Sequence, residues 1–319
     1  MAYTGTGDVS SDTAAFQQLA YFAFRSQPMY EMVADVRSTA QTHNGASVQF
    51  NIYDNMAQAT SALTETSDVT AVALGDSTVV VTLAEYGNAV ITTAKLRGTS
   101  FLNVDADAAN VIGYNMVDSV DKIVSDVANG GTNVIYALGS AGSRPTSRGA
   151  VSDASTFGAQ EARMAVADLR TASAPGFENG NYIGLIHPDV SFDLREQTAV
   201  TDVIQYQIRQ EGAAVRNGSI GVFGGIEWIE NPRAPILDDA GATSTTNVYQ
   251  TLVAGRQALA KAFSRAAGFG EDPSVVFGPV TDTLRRFHPV GWYHLVGYGI
   301  FRQAAMQRIE SSSSIGDNT

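Results

Sequence analysis

The pattern of apolar positions divides the chain into stretches of different period. Over Thr13–Arg37, Phe16, Leu19, Ala20, Ala23 and Phe24 fall at helical spacing, and Met29, Met32, Val33 and Val36 continue it. This predicts helix in one or two pieces, broken at Pro28. The aromatic positions Phe16, Tyr21, Phe22 and Phe24 suit either packing on the chain's own core or docking on a neighbouring subunit. The period changes at Gly45. Val48, Phe50 and Ile52 alternate with polar residues, as do Val79, Val81 and Leu83, and Ala89 and Ile91 resume after Gly87. Alternation of this kind predicts half-buried strands. Between them Met56–Ser77 is polar, so the segment reads as a long hairpin with a flexible tip. Connections of that length in compact domains are more often functional than incidental.

Asp105–Ala128 gives the clearest signal. Ala108, Val111, Ile112, Met116, Val120, Ile123, Val124 and Val127 recur at three- and four-residue steps. Asp105 and Asp107 favour the helix N-terminus, and Asn129-Gly130-Gly131 supplies the stop. At 1.5 Å per residue the helix spans roughly 36 Å. A Gly/Ser/Arg/Pro loop follows over Leu138–Asp153, then a helix over Phe157–Thr171 closed by Pro175-Gly176. Tyr182–Ile186 reads as a strand ending at His187-Pro188, with a helix from Asp189 to Gln197 and another over Val200–Gln210. Ser219–Phe223 and Gly225–Ile229 read as strands bent at Gly224-Gly225, Asp238–Asn247 as a turn-rich insertion, and Val248–Val253 and Leu295–Phe301 as strands. The tail Ser311–Thr319 reads as mobile. Helices and strands mix without regular alternation, so the expected class is α+β.

Composition removes several functions. The 319 residues carry 20 Lys+Arg against 32 Asp+Glu, a formal charge of −12. That balance argues against a nucleic-acid reader, which needs clustered basic residues. The absence of cysteine excludes disulfides, a thiol nucleophile and cysteine-built metal sites. No apolar run reaches the roughly 18 residues that span a bilayer. The N-terminus lacks the pattern of a secretory signal, with no positive charge before Arg25. Lysine occurs only at Lys95, Lys122 and Lys261.

Catalytic motifs are missing. Gly5-x-Gly7 does not continue as a dinucleotide fingerprint, and Gly139–Ser143 lacks the Lys-Ser/Thr of a phosphate loop. No serine elbow, zinc-protease helix or calcium loop is present. His288 and His294 are near in sequence but have no acidic residue at ligand spacing with them, and each of His43, His187, His288 and His294 reads as a structural or surface histidine. Asp189 reads as a helix N-terminal residue behind Pro188. Asn217-Gly218-Ser219 reads as a turn. No catalytic residue, metal or cofactor is expected.

The order of elements resembles the major capsid protein of tailed bacteriophages, the Hong Kong 97 fold. Leu83–Thr93, with Glu85-Tyr86-Gly87, resembles the return strand of that family's long loop. Tyr182–Pro188, closing in His187-Pro188, resembles the strand that opens its axial domain. Asn217–Asn231, with Gly221 and Gly224, resembles its glycine-spaced turn between two strands. Leu252–Gly255 resembles a return strand, and Gly291-Trp292 with Met306–Glu310 its closing segment. The family residues carried over are therefore Glu85, Tyr86, Gly87, His187, Pro188, Gly221, Gly224, Gly255, Gly291 and Trp292, with Phe16, Phe24 and Gly45 in and beside the arm.

The resemblance implies a shell subunit that forms hexamers and pentamers around packaged double-stranded DNA. It implies an N-terminal arm at 1–44, an extended loop at 45–94, a peripheral domain at 95–181 and an axial domain at 182–263. Residues 264–319 return to the peripheral domain and form the tail. Implied partners are other copies of the chain, a separate scaffolding protein, a portal and a cementing or decoration protein. DNA is enclosed without specific binding, no membrane is involved, and assembly takes place in the host cytoplasm. The type member welds its shell through a loop lysine; Gly45–Ala94 has none, so no such cross-link is expected. No long scaffolding segment precedes the arm, and Met1 favours a separate scaffold. Arg97, Arg144, Arg148, Arg209 and Arg216 either pair with acids across interfaces or stay solvated, and solvated pairs contribute little. Two other readings stay open: an encapsulin-type compartment shell of the same fold, and an enzyme using carboxylates such as Glu85, Asp118 and Asp121.

Overall fold

The computed structural model describes residues 29–36, 47–63, 65–66, 68–69, 71–100, 104–139, 142–177, 180–197, 221–264, 270–278, 282–284 and 286–315. Phe16, Phe24, Gly45, His43, Arg209, Arg216, the Asn217 turn and the helix expected over Val200–Gln210 lie outside them. In chain order the elements are β1 (Ala34–Val36), β2 (Ser47–Tyr53), β3 (Asp76–Thr82), β4 (Ala84–Thr93), α1 (Ala94–Thr99) and α2 (Val104–Asn129). Then come β5 (Val134–Tyr136), α3 (Ala159–Thr171), β6 (Tyr182–Ile186), α4 (Pro188–Glu196), β7 (Gly221–Phe223), β8 (Ile226–Glu230) and β9 (Ile236–Leu237). The last are β10 (Val248–Ala254), β11 (Leu259–Phe263), β12 (Ser274–Phe277), β13 (Phe287–Ile300) and β14 (Met306–Ser311). Helices and strands mix as the α+β expectation requires. No helix among the described residues is long and apolar enough to cross a membrane.

The chain divides into two compact units. The larger holds Ser26–Tyr86, Val117–Ser274 and His294–Thr319. Its centre is a seven-stranded sheet in the order β5-β14-β10-β6-β8-β7, with β9 on β10. β10 runs antiparallel to both β14 and β6, and β6 runs parallel to β8. Every residue of β6, β10 and β14 is buried; β6 reads as an apolar run, whereas β10 and β14 also bury polar and charged side chains, among them Gln250, Arg308 and Glu310. One face packs α3 through Ala162, Ala165, Val166 and Leu169, with Trp228 and Phe157 edge-to-face at 5.6 Å. Gly184 on β6 makes room for that indole: a Cβ there would stand 2.6 Å from Trp228 Cε3. The other face packs Val120, Val124 and Ala128 of α2 with Tyr30 and Val33.

Two expectations fail here for identifiable reasons. Residues 30–36 are not α-helical: Tyr30–Val33 form one 3₁₀ turn and Ala34–Val36 pair parallel with β11. The buried Asp121 carboxylate accepts the Met29 and Tyr30 N–H groups at 2.8 and 2.7 Å, and Tyr30 is fully buried. Tertiary partners thus override the local periodicity. Nor is the start of the tail loose. Ser311, Ser312 and Ser313 are buried, and the Ser314 N–H and hydroxyl donate to Asp193.

The smaller unit holds Gly87–Met116 and Val275–Tyr293 among the described residues. Here the first half of β13 carries β4 and β12. The strand expected over Leu295–Phe301 is therefore longer, beginning at Phe287.

Candidate assembly surfaces

β2 and β3 pair antiparallel from Ser47↔Thr82 to Tyr53↔Asp76. The alternation places Val48, Phe50 and Val81 on one face, where they pack with Ala260, Ala262 and Phe301. Phe50 meets the Phe301 ring edge-on at 6.0 Å. Gly297 and Gly299 of β13, which pairs antiparallel with β11, allow the ribbon to lie directly on these two strands: a Cβ at Gly297 would stand 2.4 Å from the Thr82 carbonyl oxygen. Those two glycines were missed in the sequence reading; glycine at alternate positions inside a strand is the signal of close backbone approach. The opposite face and the tip are uncovered. Tyr53, Met56, Leu63, Val69, Val72, Leu74 and Val80 are all exposed, Leu63 by 78%. Asp54, Glu65, Asp68 and Asp76 are the only charges between Ser47 and Thr82.

In the smaller unit Gly87, Ala89, Val276, Pro289, Gly291 and Trp292 line a groove of about 460 Å³. Gly87 and Gly291 bring β4 and β13 together: a Cβ at Gly87 would meet the Trp292 carbonyl oxygen at 2.7 Å, and one at Gly291 the Ala89 Cβ at 2.8 Å. The buried Trp292 Nε1–H donates to Asn115 Oδ1 at 2.9 Å. So three residues singled out by sequence sit in one place. Glu85 is exposed and Tyr86 half-buried on β4. At the edge, Val275, Val276 and Phe277 of β12 are exposed.

The remaining family residues shape turns. His187 is the N-cap of α4, its Nδ1 accepting the Asp189 N–H at 3.2 Å, with Pro188 in the first turn. Burial pushes the imidazole below its ordinary range, although the nearby Asp189 charge pulls it up. Asp189 in turn accepts the Tyr249 hydroxyl at 3.0 Å, as a structural partner. Gly224 and Gly225 take φ of 65° and 87°, the left-handed backbone that the tight turn between β7 and β8 demands, and Gly221, at φ 76°, opens β7 opposite Trp228. Gly255 stays small because a Cβ would stand 2.8 Å from the Pro175 carbonyl oxygen.

Of the polar side chains weighed as chemistry or as interface partners, Asp118, Asp121, Arg97, Arg144 and Arg148 have partners inside the subunit. Asp118 pairs with Arg233, whose Nε also lies 3.5 Å from Asp121. Burial raises Asp121 above the usual carboxylate range, even with two backbone N–H donors. Arg97 pairs with Asp105 at 2.8 Å, and Arg144 with Glu161 at 3.1 Å and with the Tyr136 carbonyl. Arg148 grips the fully buried Glu310 through two hydrogen bonds of 2.9 and 2.6 Å. Each of these three arginines thus has an acidic partner in its own subunit, and the pairs fasten the Leu138–Asp153 loop and the base of β4. Among the described residues no cluster of three or more acidic or histidine side chains is arranged for a metal ion.

A family model described as phage capsid protein matches residues 6–314. The chain belongs to the phage capsid protein family. It is a structural protein of the virion shell and not an enzyme. Solved capsids show the same Hong Kong 97-like fold. The capsid of Ralstonia phage GP4 superposes with a TM-score of 0.77 at 15% identity, covering 100% of this chain and 99% of that one. The cyanophage Pam1 capsid gives 0.73 at 14%, covering 98% of each chain. The capsid of Helicobacter pylori bacteriophage KHP30 gives 0.72 at 11%, covering 98% of this chain and 99% of that one. No curated protein sequence matches this capsid protein.

Proposed function

We propose that the protein tiles an icosahedral shell as hexamers and pentamers around packaged double-stranded DNA, its hairpin lying across a neighbouring copy. The observation that carries this is the hairpin itself. One face is packed against its own subunit, while the other face and a 20-residue-scale tip present large apolar side chains to water. In a self-assembling shell protein, the cover for such a surface is another copy. The exposed β12 edge is a second surface of this kind. The division into arm at 1–44, loop at 45–94, peripheral domain at 95–181 with 264–319, and axial domain at 182–263 follows the same reading.

The net charge of −12 suits an inner wall past which DNA slides during filling and release, because phosphate is not held. A separate scaffold, a portal and a cementing protein complete the set of partners, with assembly in the host cytoplasm. The loop has no lysine for a covalent weld, so the shell relies on non-covalent contacts or on the cementing protein. Size-exclusion chromatography with negative-stain microscopy tests the proposal: closed shells or hexameric rings support it, and a monomer at every concentration and salt defeats it. Denaturing gels of mature particles test the cross-link statement; covalent ladders would refute it.

A further inference from the structure

Lys261 is one of three lysines in the chain and is 3% exposed. A buried ammonium needs a partner, and losing that partner strands the charge. Its ion-pair partner among the described residues is Glu31, with Nζ 2.6 Å from Oε1. The same carboxylate oxygen accepts the Tyr298 hydroxyl at 3.1 Å. Glu31 sits in the 3₁₀ turn that leads into β1. That segment is short: one turn and three residues paired with β11. Among the described residues its side-chain polar anchorage rests on two carboxylates, Glu31 reaching out of it and Asp121 of α2 reaching into it.

His294 lies beside this pair. It is 1% exposed, neither ring nitrogen has a well-formed hydrogen bond among the described residues, and the Glu271 main chain is near enough to favour the charged ring. The charged groups facing it are Lys261 from β11, Glu31 from the turn and Asp272 from the segment ahead of β12. With a neutral ring the pocket holds one buried cation against Glu31. With a charged ring it holds two. Burial and Lys261 oppose the proton, the Glu271 main chain, Glu31 and Asp272 favour it, and the opposing effects prevail.

We propose that this cluster is an acid-operated latch: mild acid sets His294 and Lys261 in competition for Glu31 and releases residues 29–36 from β11. The imidazole is held below its ordinary value of 6.5 in the closed state. The open state therefore binds the proton first as pH falls through that value, and closure weakens with acid. Full closure belongs to higher pH. Asp121 acts in the opposite sense, since its carboxyl is raised by burial, and a neutral Asp121 keeps an oxygen for the Met29 and Tyr30 N–H groups. The latch thus turns on the Glu31–Lys261–His294 side.

Hydrogen–deuterium exchange on the full-length subunit, at about pH 7.5 and about pH 5.5 and corrected for intrinsic rates, reads the latch directly. Exchange in a peptide spanning residues 29–36 should rise several-fold at the lower pH, while β10 stays protected. Glu31→Gln should raise exchange in that peptide already at the higher pH. His294→Gln and, independently, Lys261→Met should remove the pH dependence, the second by removing the competing cation. Equal protection of the wild-type peptide at both values would overturn the latch, and so would a wild-type pH profile retained in whichever of the two variants folds.

Discussion

β10 and the β2–β3 ribbon are made of similar residues and end in opposite circumstances. β10 is buried along its whole length, between β14 and β6 and under α2 and α3. β2 and β3 bury only alternate residues near the base and leave Tyr53 and Val80 in water. Covered on both faces, β10 reports the fold; covered on one, the ribbon reports the assembly. The sharpest way to break this contrast is to attack the core. Trp228→Ala removes a fully buried indole that fills the space left by Gly184 and meets Phe157 edge-to-face. It should lower stability by about 3–5 kcal/mol, seen as a fall in the urea midpoint. An unchanged midpoint would mean that the sheet is not the stabilising centre.

Next in size is the buried charge at the sheet's margin. Glu310 is fully buried between Arg148 and Arg308, with Gln250 donating to it at 3.2 Å. Arg308 also donates to the carbonyls of Asn129 and Gly131, which ties the end of α2 to β14. Burial alone would raise the Glu310 carboxyl; the Arg148 hydrogen bond and the two arginine charges outweigh it and hold the group below its ordinary range. Glu310→Gln leaves a buried arginine without its counter-charge and should destabilise by about 3 kcal/mol. The sign with pH follows: a depressed carboxyl stabilises the fold above its ordinary value of 4.5 and loses that contribution as pH falls through the folded value. Thermal melts from neutral to acid pH should therefore show a smaller acid loss in Glu310→Gln than in the wild type.

Much of this contrast could be read in the sequence. The period-2 stretches gave the ribbon, the three- and four-residue steps gave α2, and the apolar run before His187-Pro188 gave β6 with its residues in place. What escaped was set by long-range partners. Residues 30–36 carry helical spacing, yet Asp121, 91 positions from Tyr30 in the chain, captures the N–H groups of Met29 and Tyr30 where that helix would run. The serine-rich end looks solvated until Asp193 and the Ser155 carbonyl take it up. Arg148 and Glu310 stand 162 residues apart, and neither shows by composition that it has a buried partner. Among the residues singled out for assembly, the glycines declared themselves by turn and spacing. The exposed face of the ribbon did not, because a strand's alternation is the same whether its outer side meets water or another subunit.

The ribbon gives the third test. Replacing Leu63, Val72 and Leu74 of the tip by serine touches no packed neighbour, so the subunit's own stability should change by less than about 0.5 kcal/mol. Shell yield in negative-stain images should nonetheless collapse. Normal shells from this triple variant would show that the tip's apolar side chains have no cover in the particle, and the distinction between fold-covered and assembly-covered strands would lose its best example.

The smallest expected effect sharpens the same distinction within one turn of α2. Asp121 and Lys122 are adjacent, but a helix turns about 100° per residue, so they face opposite surroundings. Asp121 is buried and receives two backbone donors, whereas Lys122 pairs with Asp126 where both side chains are more than 60% exposed. Water and salt screen the second pair, and holding two long side chains offsets part of its attraction. Lys122→Ala should therefore change stability by no more than about 0.5 kcal/mol, with the difference vanishing in high salt. Asp121→Ala should strand the Met29 and Tyr30 N–H groups away from water and lower the melting temperature by several degrees. A comparable effect from the two substitutions would mean that exposure, rather than any particular partner, fails to separate structural from incidental charge in this protein.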